Sequence, residues 1–326
     1  MRRVLLALCL LFPSLLHAQD CTGRDHSSAL SPAQQAELAE RLSDVPYQTG
    51  NHWIAERGNQ RFHLVGTIHV YDPRLHAIAD QLSPIIQTVD KVLVEATPEG
   101  EAQLQAYLSA HPELIRIPGP SLIERLPADI WQAVASAARE RGIPPAVAAQ
   151  MQPWFLSLSL AIPPCATRQL ASGKRGLDHQ IIDTARTAGT PVEAIEPFTT
   201  LIDIFSNEPI PDQIQAMHLG LLSTQQSTDG LATLKELYFA QNHTAIMPIS
   251  AILARDWLDI DKAVFDAEIE KMLDGLLLRR NRNWMDVLRT AEGNLLVAVG
   301  AAHLGGHGGL LELLSQEGFS LTRAPF

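Results

Sequence analysis

The chain has 326 residues, 46% of them apolar and 19% charged, and carries a net charge of −11. This composition excludes a disordered polypeptide. An acidic balance without a basic patch also argues against nucleic acid or anionic lipid as a partner.

The first segment reads as an export signal. Arg2 and Arg3 precede an apolar run from Val4 to Leu16, broken only by Pro13 and Ser14, and Ala18 is a small residue before a polar stretch. The run is shorter than the roughly 20 residues that a bilayer span requires. Asp20 before Cys21 is unsuited to lipid attachment. The expectation is a signal peptide over 1–18 and one domain over 19–326, periplasmic or secreted, with no membrane span in the mature chain. Cys9 leaves with the signal. Cys21 and Cys165 remain, and in an oxidising compartment one disulfide is the economical reading, with buried free thiols as the alternative. Cys165 follows Pro163 and Pro164 and is expected in a rigid loop. Neither cysteine shows an activating histidine or helix N-terminus nearby.

Residues 31–44 have the pattern of an amphipathic helix, with Ser31 as N-cap and Pro32 at its first position. Strands over 52–56 and 61–65 flank the turn at Arg57–Gln60. A helix is expected from about 76 to 89, then a strand over 91–94 that ends at Glu95. Residues 101–162 look mainly helical. Leu177–Ala188 forms another helix closed by Gly189, and a strand over 191–195 ends at Glu196. The chain is helical again from 200 to about 292. Leu295–Val299 is a continuous apolar strand, followed by Gly300-Ala301-Ala302-His303, a helix stopped by Gly318, and a last strand over 319–322.

His69, Glu95, Glu196 and His303 therefore each follow a strand. In α/β sheets the ligand site lies beyond the carboxyl ends of parallel strands, so the four should meet at one edge. Gly66 and Gly300, each three residues before a histidine, are expected to let the chain turn sharply off the strand. Two imidazoles with one or two carboxylates suit zinc, manganese, cobalt or iron better than calcium. Such an ion with a spare carboxylate as general base is hydrolytic chemistry. Each feature alone has a plain structural reading. Glu196 could be a second acid or base, or only a helix cap. Asp178 reads as a cap beside His179, and His218 and His243 as structural. The glycines around His307 could cradle an anion but read better as tight turns. Arg279, Arg280 and Arg282 could be a solvated face.

Together these stretches resemble the TraB/GumN family, whose animal relatives are the Tiki metalloproteases. The resemblance rests on HLVGTIHV at 63–70, LVEA at 93–96, GLDHQIIDTA at 176–185, VEAIE at 192–196, RNRNW at 280–284 and LVAVGAAHLGG at 296–306. It covers most of residues 50–326. It implies an α/β fold, a mixed sheet with mostly parallel central strands flanked by helices, and helical insertions walling a cleft at the strand ends. It maps a first motif onto Gly66 and His69, a glutamate onto Glu95, an arginine onto Arg280, and a second motif onto Gly300 and His303. Family forms with similar CTGRD and IPPCA stretches carry the same cysteine pair.

The resemblance further implies a metal-dependent hydrolase of the peptidase kind, using manganese or cobalt, with zinc as an alternative. His69, Glu95 and His303 would be the metal ligands. Glu95, Glu196 and Arg280 would be the catalytic groups, Arg280 steadying negative charge on a peptide or small-molecule substrate. Thr67, where the related esterase-like proteins carry an acid, argues against that chemistry. The competing expectation is a non-catalytic binding or interaction protein holding a peptide, a metal or haem.

Overall fold

The computed structural model describes residues 21–258 and 261–326; the expected signal peptide lies outside them. Six strands form one mixed sheet: β1 (His52–Arg57), β2 (Gln60–Thr67), β3 (Lys91–Val94), β4 (Val192–Ala194), β5 (Gly293–Gly300) and β6 (Ser320–Arg323). Their order is β4-β3-β5-β2-β1-β6. β1 and β2 are an antiparallel hairpin, turned at Gly58 with φ of 60°, where a residue without Cβ is favoured. β2, β5, β3 and β4 run parallel, so their carboxyl ends share one edge.

Period-two patterning sorts the core to both faces of this sheet. Val65, Val92, Val94, Leu296 and Ala298 pack one way, with the helices Leu75–Ile86, Leu177–Ala188 and His243–Leu258. Phe62, Leu64, Leu93, Leu295, Val297 and Val299 pack the other way. They meet Trp284, Met285 and Leu288 of the helix Arg280–Thr290, and Leu310, Leu311 and Leu314 of the helix Leu310–Gln316. Nearly pure apolar runs in β3 and β5 are therefore the mark of strands covered on both sides. A third cluster, with Leu122, Trp131, Val134, Leu156, Leu160 and Met217, is the core of the helical insertion between β3 and β5.

Local chemistry sets the element ends. Ser31 and Gln34 form a reciprocal capping box on the helix Pro32–Leu42. Gly189, with φ of 75°, ends the helix Leu177–Ala188. Among the described residues no helix is long and apolar enough to cross a membrane.

Cys21 and Cys165 are joined, with Cα atoms 5.3 Å apart and a sequence separation of 144. Cys165 is not in a loop. Pro163 is the N-cap and Pro164 the first residue of the helix Pro164–Ala171, because proline's fixed φ suits a first turn. The bridge ties the N-terminal arm to the helical insertion. A loop of this length should contribute about 2–5 kcal/mol. Reduction, or Cys165→Ser, should lower the denaturation midpoint accordingly, and peptide mapping without reductant should recover the linked pair.

The first helix is held by charge as well. Glu37 meets Arg255, Arg41 and Lys262, with Arg255 Nη1 2.9 Å from its Oε1. The Arg255 hydrogen bond outweighs the cost of burial and, with Arg41 and Lys262, lowers the Glu37 pKa from 4.5 to about 2. Because the folded value is the lower one, this stabilisation is complete above about pH 5 and is lost as pH falls from 4.5 towards 2. Glu37→Gln should be less stable at pH 7 and should lose less on acidification over that window, read by denaturant unfolding at each pH.

Candidate functional site

Strand register places the site residues. Thr67 at the end of β2 is the partner of Gly300 at the end of β5, whereas Gly66 is the partner of Val299. The two Gly-x-x-His motifs are thus offset by one residue, and their histidines have different settings. His303 lies in a short 3-10 turn, Ala301–His303, and is 3% exposed, against the Trp284 ring at 4.4 Å between centroids. The His69 side chain is 60% accessible, at the mouth of the same edge.

Neither motif glycine has the positive φ that would make it a turn residue. Gly66 is required for space, and Gly300 keeps a small gap open between side chains. A Cβ on Gly66 would lie 3.0 Å from the Ala301 backbone and 2.9 Å from Leu304, so β2 could not approach the start of the second motif. A Cβ on Gly300 would meet Glu95 Oε1 at 3.3 Å, His303 Cδ2 at 3.5 Å and His69 Nε2 at 3.7 Å. The missing side chain leaves a hollow faced by all three.

Arg280 holds the buried half of the site together. It is 7% exposed. Its Nε and Nη2 donate to Glu196 at 3.0 and 2.6 Å, and Nη2 also donates to Glu95 Oε2 at 2.5 Å. Nη1 donates to the Leu276 carbonyl at 3.1 Å and faces His303 Nε2 at 3.3 Å. All five N–H groups are thereby engaged. Arg279 and Arg282, in contrast, are surface residues bridged to Asp274. Trp284 Nε1 donates to Glu196 Oε2 at 2.8 Å. Glu196 is not a helix cap, since Thr199 is the N-cap of the following helix, Thr200–Phe205. Its carboxylate fixes Arg280 and Trp284.

Each histidine is oriented through Nδ1. His303 Nδ1 is 2.6 Å from Asn281 Oδ1, and Asn281 Nδ2 donates to the carbonyls of Gly308 and His303. Asn281 Oδ1 can only accept, so the His303 proton is on Nδ1 and the lone pair is on Nε2. His69 Nδ1 is 3.2 Å from Asp178 Oδ2, which also meets His179 Nδ1 at 3.1 Å. Asp178 is not a helix cap: Gly176 takes that place. Gly176 is in turn so close to the Ile68 carbonyl that a Cβ would lie 2.1 Å from it, which brings Asp178 to His69. His179 continues to Glu101 at 3.2 Å.

Electrostatics separate the two imidazoles. Burial dominates at His303 and, despite Glu95, lowers its pKa to about 3, so the ring is neutral. At His69 the protein crowding the inner side of this otherwise accessible ring opposes charge, but the bond and charge of Asp178, reinforced by Glu95, raise the value to about 9. Burial also opposes ionisation of Glu95. The charges of His69 and Arg280 and the Gly300 N–H, which donates at 2.6 Å, outweigh it and hold Glu95 below the ordinary carboxylate range. Asp178 is likewise held well below the ordinary carboxylate range, burial being overcome by His179 and His69.

The donor set fits a divalent ion in type; His303 already has the tautomer of a ligand, and His69 must release its Nε2 proton to become one. His303 Nε2 and Glu95 Oε1 are 3.9 Å apart, within reach of one ion at ligand distances of about 2.0–2.2 Å. His69 Nε2 borders the same hollow. Among the described residues no group of three His, Cys, Asp or Glu side chains closes around one point, and Arg280 fills one flank. His218 and His243 lie apart from this site. His243 is 1% exposed, its Nε2 bonded to the Tyr47 carbonyl at 3.0 Å. The glycines near His307 form turns, with positive φ at Gly306 and Gly308, and the Gly308 N–H is taken by Glu312.

Sequence reading did not find Asp178, His179, Asn281 or Trp284 as site residues. Their one signal was position: Asp178 and His179 open a helix beside the His69 loop, and Asn281 and Trp284 share the Arg280 helix.

Comparison with known proteins gives the same stretch of chain. The uncharacterized protein YbaP of Escherichia coli strain K12 is 26% identical over 280 residues, covering 81% of this chain and 94% of its own length. YbaP of Shigella flexneri matches with the same identity and coverage. A family model matches residues 51–323, from the start of the hairpin to the last strand, and the chain belongs to the TraB/PrgY/gumN family.

Proposed function

We propose that the chain is an exported, periplasmic metal-dependent hydrolase with peptides as its substrate class. One observation carries this reading. His69 Nε2, Glu95 Oε1 and the His303 ring border the hollow at Gly300, and each imidazole is bonded through Nδ1 to a fixed acceptor. Rings tied this way leave Nε2 as the nitrogen for a ligand, free of a proton at His303 and available at His69 once its proton is displaced.

His69, Glu95 and His303 would hold a divalent ion, which would supply Lewis acidity for hydrolysis. The chain's own residues set the rest. Asp178 and Asn281 fix the two rings, and the Gly300 N–H fixes Glu95. Glu95, held below the ordinary carboxylate range, is a better ligand than proton acceptor, since a general base works best with a pKa near ambient pH. Glu196, with both oxygens engaged by Arg280 and Trp284, is a positioning residue. Arg280 has one N–H aimed at His303 Nε2. As a fixed cation beside the hollow, Arg280 would steady negative charge developing on a substrate oxygen.

The second reading, a non-catalytic binding protein, is favoured by the closure of Arg280 on Glu95 and Glu196. That arrangement satisfies its own charges without a ligand.

Turnover of a peptide substrate should stop with chelator and return with manganese, cobalt or zinc. His69→Ala and His303→Gln should each weaken metal binding at least tenfold, measured by titration. Glutamine is the choice at 303 because the ring is buried core against Trp284 and an alanine there would leave a hole. His243→Ala should lower Tm yet leave metal stoichiometry unchanged. A His303→Gln protein that binds metal like the wild type refutes the shared site.

Arg280→Lys keeps the charge but cannot make the paired bonds to Glu196 while reaching Glu95. A lower Tm should accompany a loss of about 10–100-fold in metal affinity or activity. An unchanged Tm and an unchanged affinity together would show that the guanidinium fork is dispensable.

A further inference from the structure

Beside the Arg280 cluster, and not part of it, a cavity of about 340 Å³ opens between four helical segments. Its floor carries Trp154 and Phe205, whose rings lie parallel at 4° and 6.4 Å between centroids. Leu158, Met217, Met272 and Leu276 supply apolar walls. Concave apolar space of this size is what small-molecule sites present.

The rim has a definite charge. Glu208, Asp212 and Glu268 border the opening with Lys271 and Arg279. Lys271 is bonded to Glu208 at 2.7 Å, and Arg279 is bridged to Asp274 at 3.1 Å. Asp212 and Glu268 share the field of the same Lys271 ammonium, Glu268 being met by the neutral Gln215 amide at 3.0 Å, so Glu208, Asp212 and Glu268 face one ammonium between them. The mouth is therefore acidic over an apolar interior.

We propose that this cavity is a binding site for a small amphiphile with an uncharged or cationic head, its apolar chain lying against Trp154 and Phe205 and its head at Asp212 and Glu268. The apolar walls select the chain, and the acidic rim rejects a carboxylate or sulfate head by like-charge repulsion. The site is independent of the hydrolase reading, since neither a metal nor turnover enters it.

The probe is N-phenyl-1-naphthylamine, a neutral apolar fluorophore, titrated into the full chain without added metal. One saturable site is expected, with quenching of tryptophan emission as Trp154 is contacted. Ala216→Trp and Ala161→Trp each place a bulky ring at the cavity, one from the helix Ile210–Leu219 and one from the helix Pro153–Ala161. Both alanines are exposed, so either variant serves if the other fails to fold. Each should weaken probe binding at least tenfold. Decyltrimethylammonium and 1-decanol should displace the probe, and decanoate should need at least tenfold higher concentration. Probe binding that survives a folded tryptophan variant, or decanoate competing as well as decyltrimethylammonium, overturns the assignment.

Discussion

Arg280 is a permanent cation with almost no access to water, and the carboxyl ends of three parallel strands are arranged around it. Glu95 follows β3, Glu196 follows β4 and His303 follows β5, and one guanidinium touches all three. A buried charge of this kind is tolerated only when its donors are all met, and here five are. Removing either carboxylate would leave buried guanidinium N–H groups without acceptors, while the other carboxylate still balances the charge. The same cation steadies Glu95 as a carboxylate beside a neutral His303. Fold and site electrostatics thus rest on the same residue.

The sheet supplies the other constraint. Because β2 and β5 pair with Thr67 opposite Gly300, the two motifs cannot be copies in space. One histidine is sealed against Trp284 and stays neutral. The other stands at the opening and takes its character from Asp178. A hollow between them exists because Gly300 has no side chain, and because Gly66 lets Ala301 and Leu304 settle against β2.

Much of this was legible in the sequence because it depends on periodicity and on punctuation. Apolar runs of strand length at 91–94 and 295–299 marked strands covered on both faces, and Gly189 and Gly318 marked helix ends at positive φ. Parallel order then implied one edge for His69, Glu95, Glu196 and His303. The reason for the glycines was misread, since Gly-x-x-His suggests a turn while the requirement is close approach between β2 and the second motif, a contact some 235 residues apart in the chain. Asp178 was misread for a related reason. An acid at the start of a helix is locally a cap, and only the packing of Gly176 on Ile68 directs it to His69. The two prolines before Cys165 suggest a rigid loop, yet prolines also begin helices, as they do here. In each case a residue satisfying a local rule was claimed by a distant partner.

The helix that carries Arg280 joins the site to the insertion. Residues Asp274–Arg279 form a π-helical turn, wider than the α-helix that follows from Arg280. Inserted turns of this kind displace the residues after them and occur often at functional positions. Here the Leu276 carbonyl accepts from Arg280 Nη1, while Leu276 and Gly275 also wall the apolar cavity. Gly275 brings the turn against Ile204, since a Cβ there would lie 3.2 Å from the Ile204 side chain. The position of Arg280 therefore depends on how tightly Ile204 and its neighbours pack, even though the helical insertion contributes no group to the hollow at Gly300. What the strands fix at one end of the guanidinium, through Glu95 and Glu196, the insertion fixes at the other through a single backbone carbonyl.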